Sequence, residues 1–390
     1  MDRRTASRLN LDTPFLADPA AQSLCAVLEK AGHLALFVGG CVRNALLGVE
    51  ASDVDISTDA VPYDVMRIVE NAGFRAVPTG IEHGTVTVIV DGSAFEVTTF
   101  RQDVATDGRR AVVAFSNDIA EDARRRDFTM NALYADRTGT ILDPLDGLPD
   151  LKAGRVRFIE DADQRIREDY LRTLRFFRFH AYYANQQEGW DADALNGIAA
   201  NLEGLETLSG ERVGAEMIKL LSAIDPAPSL ATMAQTGVLG SILPGADPTL
   251  IAPLVHLEGM TKASPDPIAR LAALGGIDVP KRLRLSRADQ KQLDSIRDQS
   301  VSTLSSKAIG YQLGEKAGLG AVLLRGAMAN APLTAAVIAD VTTGSQSKFP
   351  VNAIDLPDFK GKALGDKLKA LKQDWLASDL SKSKNDLLRS

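Results

Sequence analysis

Residues 36–58 read LFVGGCVRNALLGVEASDVDIST, and this stretch decides the fold that the sequence predicts. The apolar residues 34–38 predict a short buried strand, and the two glycines at 39 and 40 end it. The first turns of a helix are expected over residues 42–47. Glycines ahead of a helix N-terminus let backbone N–H groups approach an anion closely. Gly40 and the forked donor of Arg43 are therefore candidates for binding phosphate.

Two aspartates, Asp53 and Asp55, follow this turn. On a strand, positions i and i+2 project from the same face, so both carboxylates would reach one hard cation. Mg²⁺ is the ion expected, because it prefers oxygen ligands and also binds triphosphates. Alone, such a pair is typical of a solvated turn or a cap. Its position after a glycine turn favours a metal–nucleotide site.

The bulk properties are those of a globular protein with several domains. The 390 residues are 45% hydrophobic and 24% charged, and we expect two to four domains. No apolar run approaches the roughly 20 residues that span a bilayer. The N-terminal residues have no apolar core of signal-peptide length, which predicts a cytoplasmic protein without membrane association.

Zinc and disulfide chemistry are not expected. The sequence has two cysteines in no metal-ligand pairing and four scattered histidines. These residues are Cys25, Cys41, His33, His83, His180 and His256.

The charge distribution suggests an extended polyanionic ligand. The net charge is −7, yet residues 281–297 carry six basic and two acidic residues, and residues 345–390 carry nine basic and six acidic. An acidic protein with basic stripes fits a nucleic acid held along one face. The alternative is that both stripes are solvated helix faces.

A mixed N-terminal region precedes a helical remainder. Residues 85–90, a turn at 91–93 and residues 94–100 predict a β-hairpin. Glu96 on that hairpin is either a third carboxylate near the aspartates or an ordinary surface residue. Residues 106–108 predict a mobile loop. Beyond residue 151, helical periodicity dominates.

Two arginine-rich segments add candidate nucleotide contacts. Arg124, Arg125 and Arg126 precede Asp127 and could clamp a triphosphate or ribose, although such triplets are often solvated. Residues 167–183, REDYLRTLRFFRFHAYY, predict one helix that docks through Tyr170, Leu174, Phe177 and Ala181. The remaining surface carries a ramp spaced by three, formed by Asp169, Arg172, Arg175 and Arg178.

Asp169 and Arg172 have the chemistry to read a base edge; the alternative is an exposed, charge-paired face. Cytosine and adenine both present an amino donor beside a ring-nitrogen acceptor, which matches a carboxylate beside a guanidinium. Uracil and guanine present the reverse order, so polar groups would stay unpaired. One such pair admits C and A and rejects U and G, which leaves Arg175 and Arg178 for phosphates.

In its motifs the chain resembles the bacterial class II tRNA nucleotidyltransferases, or CCA-adding enzymes, and the related bacterial poly(A) polymerases. The motifs occur in the family's order across residues 34–221. They are GGCVRNALLG (39–48), DVDIST (53–58), RRDFTMNAL (125–133), DPLDGLPDL (143–151), EDYLRTLRFFRF (168–179) and SGERVGAEMIKLL (209–221).

The resemblance implies an α+β fold. Residues 1–150 would form a polymerase-β-like nucleotidyltransferase head with a small mixed or antiparallel sheet. A helical neck (151–225) with the base template, a helical body (226–310) and a tRNA-binding helical tail (311–390) would follow. The expected partners are tRNA, CTP and ATP, with Mg²⁺ as cofactor and no protein partner.

The resemblance also assigns roles. Asp53 and Asp55 would be catalytic metal ligands. The nucleotide would be bound by Gly40, Arg43, Arg126, Asp127, Asp169, Arg172, Arg175 and Arg178, with Asp127 at the ribose. Asp143 and Gly147 would couple head to neck, and Glu211 and Arg212 would support the template helix. Asn44 departs from the family's aspartate, which puts in doubt one contact that positions an arginine.

Three functions stay open at this point. The first is addition of C, C and A to the 3′ end of tRNA by two-metal nucleotidyl transfer. The second is a poly(A) polymerase or a partially adding enzyme of the same family, which the lack of long basic extensions disfavours. The third is a non-catalytic RNA- or nucleotide-binding regulator, which the intact aspartates and template pair disfavour.

Overall fold

The computed structural model describes residues 8–50, 53–107 and 110–389, with only the backbone for 103–107 and 110–113. These residues form two compact units, Met1–Gly204 and Leu205–Ser390. The first unit is α+β and the second is helical, as the sequence predicts. The borders of the four predicted segments stay predictions.

The strands in the described part of the chain lie in the first unit. They are β1 (Leu36–Val38), β2 (Asp55–Thr58), β3 (Arg75–Gly80), β4 (Thr85–Val90), β5 (Ser93–Thr99), β6 (Arg101–Asp107), β7 (Arg110–Phe115), β8 (Tyr134–Ala135) and β9 (Ile141–Leu142). Seven of them form a mixed sheet in the order β3-β4-β5-β2-β1-β8-β9. In this sheet β2 and β5 pair in parallel, and all the other neighbouring strands pair antiparallel.

Helices surround this sheet and make up the second unit. Those of the first unit are α1 (Pro14–Ala17), α2 (Pro19–Lys30), α3 (Gly40–Leu46), α4 (Pro62–Asn71), α5 (Ile119–Arg124), α6 (Gly147–Ala153), α7 (Ala162–Glu168), α8 (Leu171–Tyr183) and α9 (Ala192–Ala200). The second unit contains α10 (Gly210–Leu221), α11 (Ala227–Gln235), α12 (Val238–Ile242), α13 (Ile251–Thr261), α14 (Pro267–Leu274), α15 (Val279–Arg282), α16 (Arg287–Ser300), α17 (Ser306–Ala329), α18 (Ala335–Gln346), α19 (Gly361–Ala377) and α20 (Lys384–Arg389).

The predicted hairpin is confirmed as β4 and β5. Along β4, buried and half-buried residues alternate, as expected for a strand with one face on a core. Asp91 and Gly92 join the two strands, and both have positive φ, 49° and 86°. Two consecutive left-handed residues match the right-handed twist of a tight hairpin, which explains why glycine stands at position 92.

Two sequence predictions about secondary structure are wrong. Thr106 and Asp107, expected in a mobile loop, end strand β6, which pairs antiparallel with β7; Gly108 lies outside the described residues. The helix expected over residues 167–183 is two helices, because α7 ends at Glu168 and α8 begins at Leu171. Tyr170 packs tightly at this break: a methyl group added to Gly204 would lie 2.0 Å from its ring.

An aromatic cluster docks α8 on the rest of the first unit. The ring of Phe128 lies 4.8 Å from Phe179 and 5.0 Å from Phe158, and Phe158 stacks on Phe176 at 5.5 Å. Phe177 and Leu174, predicted to dock the helix, are buried as well, whereas Tyr170 and Ala181 are half-buried. The buried face of α8 is therefore wider than a single apolar stripe.

The start of α6 sits against the turn that carries the RRD segment. Asp143 accepts backbone N–H bonds from Gly147 and Leu148, both at 2.8 Å, and so caps the helix. A methyl group at position 147 would lie 2.1 Å from the Thr129 carbonyl oxygen, so only glycine permits this approach. Asp143 and Gly147 thus have packing roles in this structure.

The second unit is held by buried polar and apolar contacts. Arg270 is 1% exposed and donates both to Glu258 and to the carbonyl of Leu221 at the end of α10. A separate core gathers around Trp375 from the last helices. Glu211 pairs with Arg284 in an exposed contact, so its role as a support stays a prediction. No helix in the described part of the chain combines the length and apolarity that crossing a membrane requires.

Candidate active site

Four carboxylates line one cleft; Asp18 comes from the start of α2, and the other three lie at the end of the parallel strand pair. Asp55 opens β2 and stands in register with Glu96 on β5. Neighbours in register on parallel strands share a face of the sheet, so both side chains point the same way. Asp53 lies just before β2, not on the strand as predicted, and is exposed. All three line a cleft of about 710 Å³.

The electrostatics of this cleft suit a divalent cation. Burial raises the pKa of Asp55, repulsion from Glu96 and Asp53 adds to the rise, and Arg126 opposes it. A hard cation would relieve the repulsion and accept the carboxylate oxygens, so the donor set fits such an ion. In the described residues, however, no three acidic, histidine or cysteine side chains converge as a preformed metal site.

Arg126 joins the carboxylate cleft to the glycine turn. It donates to Asp122 at 3.0 Å, to the Tyr134 hydroxyl at 3.1 Å and to the Ser57 hydroxyl at 3.3 Å. Ser57 lies two residues after Asp55 on β2 and so on the same face. A methyl group on Gly39 would lie 3.6 Å from Nη1 of Arg126. The Arg126 guanidinium therefore lies close to both the predicted metal site and the predicted phosphate-binding turn.

Asp122 anchors this arginine. It is fully buried and also accepts from Arg125 and Tyr134, both at 2.7 Å. Burial acts to raise the pKa of Asp122, but Arg126 and Arg125 outweigh it, and the pKa is lowered. The carboxylate thus stays ionised and holds Arg126 in place.

The three arginines of the triplet do not face one site in this structure. Arg124 pairs with the exposed Glu160, and Arg124 and Arg125 line a separate polar cavity of about 270 Å³. Only Arg126 borders the glycine turn among the three, since successive residues of a helix end point in different directions.

The glycine turn forms as predicted, and Arg43 follows it on α3. Gly39 has φ 71° and caps the helix that Gly40 begins. Arg43 is only 6% exposed and donates to Asn131, to the Tyr183 hydroxyl at 2.8 Å and to Asn44 at 2.9 Å. Its phosphate-binding role stays a prediction, because the structure engages its guanidinium with protein partners.

Asn44 occupies the position where the family has an aspartate. Its side-chain oxygen accepts from Arg43, which agrees with the expected role in positioning an arginine. Its amide group also donates to the Glu50 carbonyl at 3.1 Å, a bond that a carboxylate could not make.

Asp127 pairs with an arginine of α8. It is 7% exposed, and Arg175 donates to one of its oxygens through Nε at 2.8 Å and also through Nη2. The other oxygen accepts from Asn131 at 3.0 Å and from the Phe128 N–H at 2.9 Å. Burial alone would raise the pKa of Asp127, but Arg175 and these hydrogen bonds lower it to about 2. Ribose recognition by Asp127 stays a prediction.

The two template candidates lie at the break between α7 and α8. Arg172 is only 11% exposed, so it does not belong to an exposed ramp. It donates to Glu168 at 2.6 Å and to the carbonyls of Arg165 and Arg125, both at 2.9 Å. Asp169 is half-buried and accepts from the Leu171 N–H at 3.1 Å. Their base-reading role stays a prediction.

Arg178 completes the predicted set. It is half-buried, and its guanidinium lies 4.9 Å from the centre of the Phe179 ring. Arg175 and Arg43 approach the same ring at 5.5 and 5.0 Å. The structure thus brings Arg43, Arg175 and Arg178 together around one aromatic side chain.

Sequence reasoning missed several residues of this site. Asn131 lies within the RRDFTMNAL motif but receives no role there. Tyr183 contacts Arg43 across 140 residues, and no local pattern marks it. Glu168 pairs with Arg165 and Arg172 at spacings of three and four, a local signal from which it could have been found. The contact of Tyr183 becomes visible only when α8 is placed against α3.

Comparison with known proteins places this chain in a family. Residues 35–157 match the family model described as poly A polymerase head domain, and residues 191–250 match the one described as probable RNA and SrmB-binding site of polymerase A. The mitochondrial CCA tRNA nucleotidyltransferase 1 of Mus musculus is 33% identical over 383 residues, which cover 94% of this chain and 88% of that protein. The chain belongs to the CCA tRNA nucleotidyltransferase family.

Similarity to other members of the CCA tRNA nucleotidyltransferase family supports this assignment. The CCA-adding enzyme of Geobacillus thermodenitrificans is 42% identical over 222 residues, covering 56% of this chain and 52% of that protein. The crystal structure of Bacillus stearothermophilus CCA-adding enzyme in complex with CTP is 28% identical, covers 94% of both chains and has a TM-score of 0.73. The predicted resemblance and the α+β fold class are thereby confirmed. Members include mitochondrial enzymes, so the cytoplasmic location stays a prediction.

Proposed function

We propose that this protein adds C, C and A to the 3′ end of tRNA, using CTP and ATP and releasing pyrophosphate. The observation that carries the proposal is the shared cleft of Asp53, Asp55 and Glu96, together with Arg126, which lowers the pKa of Asp55 and lies next to the glycine turn. Similarity to a CCA tRNA nucleotidyltransferase over 94% of this chain supports the choice of reaction.

In this proposal Asp53, Asp55 and Glu96 would hold two Mg²⁺ ions. The chemistry that such ions supply is activation of the RNA 3′-hydroxyl and neutralisation of charge on the departing pyrophosphate. The protein's own contribution is positioning and charge. The Gly39–Gly40 turn and Arg126 orient the triphosphate, since Arg126 lies beside Gly39 and donates to Ser57, which shares the face of Asp55 on β2.

Asp169 and Arg172 select the base. Asp169 accepts from the amino group of cytosine or adenine, and Arg172 donates to the neighbouring ring nitrogen. Arg172 donates three hydrogen bonds to Glu168 and two carbonyls through Nη1 and Nη2. A guanidinium carries five N–H donors, so Nε and the second Nη2 hydrogen remain for the ring nitrogen without loss of these bonds. Arg175 and Arg178 then lie one and two turns further along α8, within reach of phosphates.

The tRNA is held by the helical part of the chain. Residues 311–390 include α19, which carries four lysines and two aspartates and is largely exposed. Such a face binds phosphates without reading sequence. A tRNA whose outer half is recognised by shape would satisfy this arrangement.

The decisive experiment supplies a tRNA lacking its last three nucleotides, Mg²⁺ and each labelled triphosphate, separately and together. CCA addition predicts incorporation of C alone, of A only after C, and a halt after three nucleotides. Long A tails made without CTP would instead identify a poly(A) polymerase. Absence of any incorporation would identify a non-catalytic RNA- or nucleotide-binding protein.

A further inference from the structure

Five side chains form one chain of hydrogen bonds that begins and ends on α8. Arg175 donates to Asp127, which accepts from Asn131 at 3.0 Å. The oxygen of Asn131 accepts from Arg43, whose Nη2 donates to the Tyr183 hydroxyl at 2.8 Å. Arg175 and Tyr183 are eight residues apart, about 12 Å along the helix. The network therefore grips α8 at two separate points.

Arg43 is the member of this network nearest the phosphate-binding turn. It lies three residues after Gly40, and a methyl group on Gly40 would be 3.8 Å from its Nη2. That same nitrogen contacts Tyr183. The orientation of the guanidinium beside the turn thus depends on a residue at the far end of α8.

Tyr183 constrains Arg43 in two ways. Its hydroxyl accepts from Arg43 and lies 3.4 Å from the Asn44 oxygen, to which it donates. Its ring lies 4.2 Å from the guanidinium carbon, a cation–π contact. Arg43 donates hydrogen bonds to the neutral side chains of Asn44, Asn131 and Tyr183. These bonds orient the guanidinium without neutralising its positive charge.

We propose that Tyr183 is a positioning residue for nucleotidyl transfer, which acts on the triphosphate through Arg43. The inference rests on the proposed function. Tyr183 sets the direction of the Arg43 guanidinium and links it to α8, the helix that carries Arg172. This link fixes the position of Arg43, at the phosphates, relative to Arg172, at the base.

A positioning role predicts a specific kinetic change. Loss of the hydroxyl leaves the ring in place but frees Arg43 to turn. Misplacement of a substrate by about 1 Å reduces rate strongly while much of the binding energy is kept. Tyr183→Phe should therefore lower kcat about tenfold for both CTP and ATP, with each KM changed less than about threefold.

The matched control is the neighbouring tyrosine. Tyr182 is 45% exposed, and Tyr182→Phe should keep kcat and KM at wild-type values. Thermal melting of both variants should stay near that of the wild type. If Tyr183→Phe retains wild-type kcat, or loses activity only through a higher KM, the positioning role is wrong.

A double-mutant cycle tests whether the effect passes through Arg43. Arg43→Lys removes the forked donor; in that background Tyr183→Phe should cause no further loss of kcat. Independent, multiplicative losses would overturn the inference. Asn131→Ala breaks the same network from the other side and should reproduce the loss of kcat if Tyr183→Phe does not fold; a wild-type kcat in that variant would count against the network. A wild-type enzyme that incorporates no nucleotide refutes the proposed function itself, whereas an active wild type with unaffected variants refutes only this inference.

Discussion

Asp55 and Glu96 stand side by side in the parallel pairing of β2 and β5, so two carboxylates share one face of the sheet. Glu96 contributes directly to the raised pKa of Asp55. Glu96, for which the sequence left two interpretations open, thus lies in the cleft that Asp53 and Asp55 line.

Removing the charge of Glu96 should weaken the binding of Mg²⁺. Glu96→Gln keeps the side-chain shape but removes one carboxylate from the cation's surroundings. We expect the Mg²⁺ concentration for half-maximal nucleotide incorporation to rise about tenfold. Titration of Mg²⁺ at saturating CTP measures this. Glu82→Gln, on an exposed residue away from the cleft, is the control, and equal curves for both variants would remove Glu96 from the site.

The metal-free protein should be destabilised by Asp55 as pH rises. The folded-state pKa of Asp55 lies above its usual value of 3.8, so the folded state holds the proton more tightly than the unfolded state. Stability is therefore lost as pH increases through the raised pKa. In EDTA at pH 7, Asp55→Asn should melt about 2 °C higher than the wild type, and the difference should shrink toward pH 4. A lower melting temperature for the variant at pH 7 would contradict this.

The pair of Asp127 and Arg175 should stabilise the first unit down to acidic pH. Because the folded-state pKa of Asp127 is about 2, against 3.8 for the usual carboxyl, its contribution is complete above about pH 4 and is lost as pH falls toward 2. Asp127→Asn should cost about 2 kcal/mol in urea unfolding at pH 7. Asp64→Asn, in an exposed pair with Arg67, should cost under about 0.5 kcal/mol. Equal losses would place the Asp127 pair among ordinary surface contacts.

Restoring the family's aspartate at position 44 should weaken nucleotide binding modestly. In Asn44→Asp, a carboxylate would neutralise Arg43 and lose the donor that bonds the Glu50 carbonyl. We expect KM for CTP to rise about three- to tenfold, roughly 1 kcal/mol, with kcat nearly unchanged. Steady-state kinetics decides, with Asn71→Asp as an exposed control. A change of several hundredfold in kcat would show that Asn44 has a different role.

Arg172 should govern base choice more than metal binding. Arg172→Ala removes the proposed donor to the ring nitrogen, so incorporation of UMP and GMP should rise relative to CMP and AMP by about tenfold. The Mg²⁺ requirement should stay within about twofold. Arg167→Ala, on the exposed side of α7, is the control and should leave selectivity intact. Unchanged selectivity in Arg172→Ala would exclude Arg172 from the template.

Local patterns predicted the parts of the fold that short-range physics determines. The strand, glycine turn and helix around Gly39 and the hairpin turn at Gly92 depend on apolar runs and on positive φ angles, which leave a mark in the sequence. The parallel contact between Asp55 and Glu96 joins residues 41 positions apart. Nothing near either residue specifies it, so the sequence left the role of Glu96 open.

The break before α8 was missed for a similar reason. Residues 167–171 contain neither proline nor glycine, so helical periodicity continues through them in the sequence. The observed break coincides with the close packing of the Tyr170 ring against Gly204, a distant residue. Tyr183 escaped notice likewise, because its bond to Arg43 spans 140 residues.

The two-residue connection at Asp91 and Gly92 has a consequence beyond its own bend. It sets the offset of β5 against β4, and a strand's side chains change sides with every residue. One inserted amino acid that shifted this offset would turn Glu96 away from Asp55 and would also turn the buried side chains of Phe95 and Val97 out of the core. Length variation among homologues should therefore be far rarer at this remote loop than its solvent exposure suggests.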